Sequence, residues 1–127
     1  MIVAGIGCRR GTLSEDIVSL ILATLGTLDI AQDRLDAIAT EASKADERGI
    51  ADAARSLSVR LIRCSIADLD RVADRVVTRS SRVQALKGVP SIAEASALVA
   101  AGHNARLLGA RVAAEKATCA IAISEDS

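Results

Sequence analysis

An uninterrupted apolar run near the start of the chain constrains the fold more than any other feature. Residues 2–6, IVAGI, carry no polar side chain, so neither face of this segment is suited to water. Such a run favours a strand that is covered on both faces, as in a sheet that lies between two layers of helices. The glycine-rich stretch that follows, GCRRGT at 7–12, predicts a tight turn from this central strand into a helix.

Short apolar runs and helical patterns alternate along the rest of the chain. The apolar runs predict further strands at 35–39, 58–63, 105–113 and 117–123. Apolar residues at helical spacing predict helices between the strands. This order predicts an α/β fold: a three-layer α/β/α sandwich with a mixed, mostly parallel sheet and a C-terminal hairpin, in one domain over residues 1–127.

Polar residues mark where the helices are expected to begin. The first helix should open at Thr12 or Ser14, the second between Lys44 and Gly49, and later ones after Ser65 and at Ser91. Three pairs match the capping-box pattern, in which a hydroxyl accepts a backbone N–H three residues on. These pairs are Thr12 with Glu15, Ser65 with Asp68, and Ser91 with Glu94.

The absence of Phe, Tyr and Trp limits both the core and the functions available to the chain. The core has to be built from Ala, Val, Ile and Leu, which allows elements to pack closely. Single-stranded nucleic acid is usually bound on aromatic stacking platforms, and none is available here. Sixteen basic and sixteen acidic residues also cancel, so no nucleic-acid partner is expected.

Cysteine and histidine usage argues against a metal site. Cys8, Cys64 and Cys119 form no CxxC pair, and His103 is the one histidine. We predict reduced, mostly buried thiols in a cytoplasmic protein with no metal and no cofactor. The N-terminus has no leading positive region, and no apolar stretch approaches membrane-spanning length, so neither a signal peptide nor a membrane segment is expected.

The glycine–arginine stretch is suited to an anion. Ligands of open α/β sheets bind beyond the carboxyl ends of the strands, where this stretch is expected to lie. Gly5, Gly7 and Gly11 let the backbone turn and approach a ligand, while Arg9 and Arg10 offer planar forks for carboxylate or phosphate. Two alternatives stay open: a tight turn with two solvated arginines, and a nucleotide-binding module, although the GxGxxxG spacing is one residue longer than the dinucleotide fingerprint.

Four segments of the chain resemble the family of CobE and of the C-terminal domain of CbiG, proteins of cobalamin biosynthesis. The first is GIGCRRGT, and the second is LDAIATEASKADERGI, with Lys44, Glu47 and Gly49 at the family's positions. The others are GVPSIAEASALVAAG, which carries Gly88, Val89, Ser91, Glu94 and Ala95, and the closing TCAIAIS. The likeness covers nearly the whole chain in order, which implies a cobalamin-biosynthesis protein.

The resemblance implies the stand-alone, CobE-like form. CbiG carries further N-terminal regions and opens a lactone ring with loss of a two-carbon unit, whereas this chain starts directly at the shared domain. We therefore do not carry the lactone chemistry over. The expected role is a carrier or accessory factor for a precorrin or corrinoid intermediate, with other cobalamin-pathway enzymes as candidate partners. The alternative is an enzyme acting on a precorrin, with Cys8, Lys44 or Glu47 in proton transfer.

Corrin precursors carry many carboxylates around a nonplanar ring, which suits guanidinium groups and backbone N–H donors. The predicted ligand-binding residues are Gly5, Gly7, Cys8, Arg9, Arg10, Gly11, Thr12, Lys44, Glu47, Ser91 and Glu94.

Several side chains of this set also have a plainer interpretation. Lys44 and Glu47 have the spacing of a helical surface ion pair, and Ser91 with Glu94 suits a helix cap. Cys8, beside two arginines and before a helix, is placed where a thiolate is favoured, but it could equally be a buried packing residue. Ser80 and Ser81 could donate hydrogen bonds to an anion, and His103 fits a helix C-terminus.

Overall fold

The structure is a computed structural model that describes residues 1–77 and 91–124. Within these residues the helices are α1 Ser14–Thr27, α2 Arg48–Ser56, α3 Ile66–Arg71 and α4 Ile92–Ala101. The strands are β1 Ile2–Cys8, β2 Ala37–Glu41, β3 Arg60–Cys64, β4 Arg106–Leu107, β5 Val112–Ala113 and β6 Ala117–Ile123. Short 3-10 turns cover Gln32–Arg34, Ala42–Lys44 and Ala73–Arg75.

The six strands form one mixed sheet in the order β3-β2-β1-β6-β4, with β5 also paired to β6. Strands β1, β2 and β3 run parallel, and β6 runs antiparallel to β1. The apolar run at residues 2–6 is buried throughout and lies between β2 and β6. The predicted central strand and the predicted mixed sheet are therefore confirmed.

Helices cover both faces of the sheet, as the two-sided burial of β1 requires. Successive side chains of a strand point to opposite faces, so β1 contributes to a separate core on each side. Ile6 packs with α1 and α2, for example against Ile17 and Ile50, whereas Val3 packs with α3 and α4, for example against Leu69. The predicted three-layer sandwich is confirmed.

The C-terminal hairpin is confirmed, with an interruption in its first strand. Both β4 and β5 pair antiparallel with β6, and Ala114 N donates to Ala117 O at the turn. The predicted run 105–113 is broken because Arg111 N leaves the ladder and donates to Glu94 Oε2 on α4 at 2.8 Å.

The bounds of several elements differ from the predictions. The second strand occupies 37–41 and the third 60–64, each shifted toward the carboxyl end of its predicted range. Lys44 lies in a 3-10 turn, and the second helix begins only at Arg48, so Lys44 and Glu47 do not share a helix. The predicted helix after Ser65 ends at Arg71 and continues as a 3-10 turn.

Two of the three predicted caps form. Ser65 Oγ accepts from Asp68 N at 3.1 Å, and Ser91 Oγ accepts from Glu94 N at 3.3 Å. The cap at Thr12 is wrong: α1 follows Leu13, which offers no capping side chain, and the Thr12 hydroxyl is hydrogen-bonded to backbone carbonyls instead.

None of the helices within the described ranges is long and apolar enough to cross a membrane.

Candidate functional site

The chain leaves β1 through a four-residue turn at residues 9–12, which we call the arginine turn. Thr12 N donates to Arg9 O at 3.2 Å, which closes a β-turn with Arg10 and Gly11 at its centre. Gly11 has φ +81°, while Arg10 is not among the residues with positive φ. This is the type II pattern, in which the third position requires glycine. The predicted tight turn is thus present at the carboxyl end of β1.

The two arginines of this turn project from the carboxyl edge of the parallel strands. Both side chains are exposed. Within residues 1–77 and 91–124 the ion pairs join Arg55 to Asp52, Arg63 to Asp46 and Arg71 to Asp68. Arg9 and Arg10 therefore have no acidic ion-pair partner in that part of the chain, and their guanidinium groups can bind an anion from solution.

One group of predicted site residues lies on the side of the sheet that α1 and α2 cover. Cys8 packs against that core and is half-buried. The charges of Lys44 and Glu47 both act on its thiol. Glu47 Oε2 also accepts from Gly11 N at 3.3 Å. The fold therefore brings Lys44 and Glu47 beside the arginine turn, and they form no ion pair with each other within 4.0 Å in the described structure.

Cys8 does not have the electrostatic setting of an activated thiolate. Burial is the main influence and raises the pKa of the Cys8 thiol above its ordinary 9.0. Lys44 and a hydrogen bond with Thr12 lower the pKa, and Glu47 raises it, without reversing the effect of burial. The expectation that the neighbouring arginines favour a thiolate is wrong, because the guanidinium groups lie in solvent while the thiol is half-buried. Cys8 stays protonated at neutral pH.

A second group lies on the opposite side, where α4 begins. A methyl group placed on Gly7 would lie 3.0 Å from Thr118 Oγ1 and 3.9 Å from Ala93 N, so the first turn of α4 covers the end of β1. Ser91 is fully buried at the N-cap of this helix. The first N–H groups of α4 and its positive dipole end thus lie at the same edge of the sheet as the arginine turn.

Gly5 lies deeper, beneath α4. A methyl group there would lie 1.9 Å from Ala93 O and 2.7 Å from Ala97 N. The residue therefore allows α4 to approach β1 closely, and this packing role accounts for the first glycine of the motif.

Glu94 is fully buried and binds backbone rather than solvent. Its Oε1 accepts from Val77 N at 3.0 Å, and its Oε2 accepts from Arg111 N at 2.8 Å. The carboxylate thus ties α4 to the end of the 3-10 turn on one side and to the β4–β5 interruption on the other.

The carboxyl ends of β1 and β2 are also joined to each other. The buried Thr40 hydroxyl donates to Ile6 O at 2.8 Å. Glu41, 5% exposed, accepts hydrogen bonds from both the backbone N–H and the hydroxyl of Ser43. These hydrogen bonds join the two strand ends to each other and to the 3-10 turn that follows β2.

Sequence reasoning missed two residues at this edge. Thr118 Oγ1 lies 3.4 Å from Gly7 O, and its position as a polar residue within an apolar strand could have drawn attention to it. Lys116 supports the arginine turn through its backbone carbonyl, which accepts from Arg9 N at 2.9 Å. No side-chain pattern could have indicated a contact of that kind.

Some predicted residues fall elsewhere. His103 is exposed just after the end of α4, as expected for a residue at a helix C-terminus. Ser80, Ser81, Gly88 and Val89 lie outside the described residues. Across residues 1–77 and 91–124, no three His, Cys, Asp or Glu side chains come together in a group that could hold a metal ion.

Comparison with known proteins gives a consistent result. Residues 2–122 match the protein family described as cobalamin synthesis G C-terminus. The protein CobE of a Sinorhizobium species is 32% identical over 121 residues, which cover 95% of this chain and 79% of that protein.

Solved structures agree in fold and in sequence. The crystal structure of CobE, from the cobalamin (vitamin B12) biosynthetic pathway, matches with TM-score 0.92 and 35% identity, over 96% of this chain and 89% of the other. Cobalamin biosynthesis protein chiG of Agrobacterium tumefaciens strain C58 matches with TM-score 0.79 and 38% identity, over 99% and 100%. A cobalamin biosynthesis protein G homolog of Sulfolobus solfataricus matches with TM-score 0.74 and 27% identity, over 95% of this chain but 36% of that protein.

Proposed function

This chain belongs to the cobalamin synthesis G C-terminus family, and from that membership we propose that it binds a carboxylate-rich precorrin or corrinoid intermediate. The proposed role is that of a carrier or accessory factor in cobalamin biosynthesis. The ligand would lie at the carboxyl edge of the sheet, where open α/β sheets bind their ligands.

The observation that carries this proposal is the pair of unpartnered guanidinium groups on the arginine turn. Arg9 and Arg10 project from a backbone that is hydrogen-bonded on both sides, and no acidic residue of the described chain forms an ion pair with them. A guanidinium fork binds a carboxylate through two parallel hydrogen bonds, which adds direction as well as strength. A ligand with several carboxylates on one ring could engage both forks.

An aliphatic contact for the ring itself is available beside the turn. Leu13 is 57% exposed, although it is a large hydrophobic residue at the start of a helix. In the proposed complex the Leu13 side chain packs against part of the macrocycle face. This contact removes apolar surface from water, which favours binding. No aromatic residue is needed for this contact.

A second candidate function is catalysis on a precorrin. The electrostatic influence of Lys44 and Glu47 on Cys8 favours it, because an ammonium, a carboxylate and a thiol at one edge could transfer protons. The raised pKa of the Cys8 thiol argues against a thiolate nucleophile. This alternative therefore depends on Lys44 and Glu47.

A nucleotide-binding role is disfavoured by the glycines. In the dinucleotide fingerprint the glycines make the phosphate turn and its contacts, whereas Gly5 here is covered by α4. Of Gly5, Gly7 and Gly11, only Gly11 lies within the arginine turn, so the three glycines do not form one phosphate-binding turn.

Spectral titration with a panel of cobalamin-pathway intermediates tests the proposal. The chain has no Trp, Tyr or Phe, so the absorbance of a bound pigment is seen without protein background. We expect saturable binding of at least one polycarboxylate intermediate, and mass analysis should recover it unchanged. A recovered product of altered mass would establish the enzymatic alternative, and failure of every intermediate to bind would contradict the proposal.

The remaining expectations are part of the same proposal. We propose one functional domain over residues 1–127, located in the cytoplasm with its three cysteines reduced, and contacts with other cobalamin-pathway enzymes that deliver or receive the intermediate. Cell fractionation and co-purification with those enzymes would test the location and the partners.

A further inference from the structure

We infer that Thr12 is a positioning residue that aims the arginine turn, and that it is not itself a ligand contact. This inference rests on the proposed function, since it concerns how Arg9 is presented to the anion. It replaces the interpretation of Thr12 as a helix cap, which the position of α1 contradicts.

The Thr12 side chain is buried and faces backbone. It is 4% exposed, so little of it can reach a ligand. Its hydroxyl donates to Arg9 O at 2.7 Å, lies 3.3 Å from Lys116 O, and also neighbours the Cys8 thiol. One side chain therefore joins the first residue of the arginine turn to the β5–β6 turn.

Arg9 is consequently held at both of its backbone polar groups. Arg9 N donates to Lys116 O at 2.9 Å, and Arg9 O accepts from Thr12 N and from the Thr12 hydroxyl. The long arginine side chain is free to move, but the point from which it starts is fixed. Because the backbone of Arg9 is already ordered, less conformational entropy is lost on binding, which is the general benefit of preorganisation.

The other side of the turn is supported by the start of α2. A methyl group on Gly49 would lie 2.1 Å from Thr12 O, so glycine is needed there for α2 to approach the turn. Glu47 Oε2 accepts from Gly11 N at 3.3 Å. The arginine turn thus lies between the β5–β6 turn and α2, and Thr12 contacts both.

A matched pair of substitutions separates the hydroxyl from the rest of the side chain. Thr12→Val keeps the shape and removes the donor, whereas Thr12→Ser keeps the donor. Hydrogenobyrinic acid, a stable polycarboxylate corrinoid, serves as the probe, and its dissociation constant is measured for wild type and both variants. We expect Thr12→Val to bind roughly three- to tenfold more weakly, because part of the turn must then become ordered on binding, and Thr12→Ser to bind like wild type.

A double-mutant cycle with Arg9→Ala distinguishes positioning from general stabilisation. If Thr12 acts through Arg9, Thr12→Val weakens binding far less when Arg9 is already alanine, because the two effects are coupled. A purely structural loss would add to the effect of Arg9→Ala. Urea unfolding of each variant, followed by circular dichroism, shows that the binding comparison is made on folded protein.

The outcomes separate this inference from the proposed function. Wild-type binding that is weakened by Arg9→Ala but untouched by Thr12→Val would overturn the positioning role and leave the proposed function standing. Additive losses in the cycle would also overturn it. Absence of binding by the wild type would overturn the proposed function and this inference together.

Discussion

At the scale of single residues, the glycines of the first motif serve different physical needs. Gly11 is required by the backbone, since its φ of +81° is strained for other residues. Gly5 is required by its neighbours, since a methyl group there would meet the carbonyl of Ala93. The need for glycine at position 11 could be predicted from the turn, but the need at position 5 depends on α4, which lies far along the chain.

Gly5→Ala is expected to destabilise the fold strongly. The added methyl group must push α4 away from β1, and overpacking of this kind costs about 1–3 kcal/mol. Gly26→Ala is the matched control, because a methyl group on Gly26 at the end of α1 would meet nothing within 4 Å and should change stability by less than about 0.5 kcal/mol. Urea unfolding followed by circular dichroism measures both, and equal stability of Gly5→Ala and wild type would contradict the packing of α4.

At the scale of elements, the sequence predicted a helix cap correctly where the capped backbone N–H group lies only a few residues away. Ser65 and Ser91 cap their helices through N–H groups three residues away, which a short window of sequence contains. The same pattern at Thr12 failed because its hydroxyl is engaged by Arg9 O and by the distant Lys116 O. Long-range backbone partners decide such cases, and local pattern cannot show them.

Glu94 illustrates how one side chain fixes several elements. We expect Glu94→Gln to lower the free energy of unfolding by about 1–3 kcal/mol, because the amide offers one acceptor where the buried carboxylate accepts from two backbone N–H groups. The exposed Glu115 provides a control, and Glu115→Gln should change stability by less than about 0.5 kcal/mol. A Glu94→Gln protein as stable as the control would show that these two hydrogen bonds contribute little.

At the scale of the whole molecule, buried thiols make stability depend on pH. Burial raises the pKa of the Cys64 thiol to about 11 and that of the Cys119 thiol to about 12. The unfolded chain ionises near the ordinary value of 9.0, so above that pH it binds fewer protons than the folded protein. This contribution to stability is complete below pH 9 and is lost as pH rises toward the folded values.

We therefore expect the free energy of unfolding to fall between pH 9 and pH 11, and to fall less steeply in Cys119→Ala. The substitution also removes buried volume, so the pH slope is the relevant comparison and the absolute stability is not. Urea unfolding at several pH values provides both slopes. Identical slopes for the two proteins would contradict the burial of the Cys119 thiol.

The layered architecture was predictable because it follows from burial patterns spread along the chain. A strand that is apolar on both faces, alternating with amphipathic helices, leaves few arrangements other than helices on each side of a sheet. The candidate site was less predictable, since its residues fall on both sides of that sheet. Cys8, Lys44 and Glu47 lie with α1 and α2, whereas Gly7 and Ser91 lie with α4.

The arginine turn is central to this account, and the affinity of hydrogenobyrinic acid tests it most directly. Wild type is compared with Arg9→Ala/Arg10→Ala and with Arg34→Ala/Arg60→Ala, which removes the same charge from exposed positions before β2 and at the start of β3, at the opposite edge of the sheet. We predict a loss of at least about tenfold in the first variant, since hydrogen bonds to charged groups contribute about 1.5–3 kcal/mol each, and wild-type affinity in the control. Equal affinity in all three proteins would contradict the account.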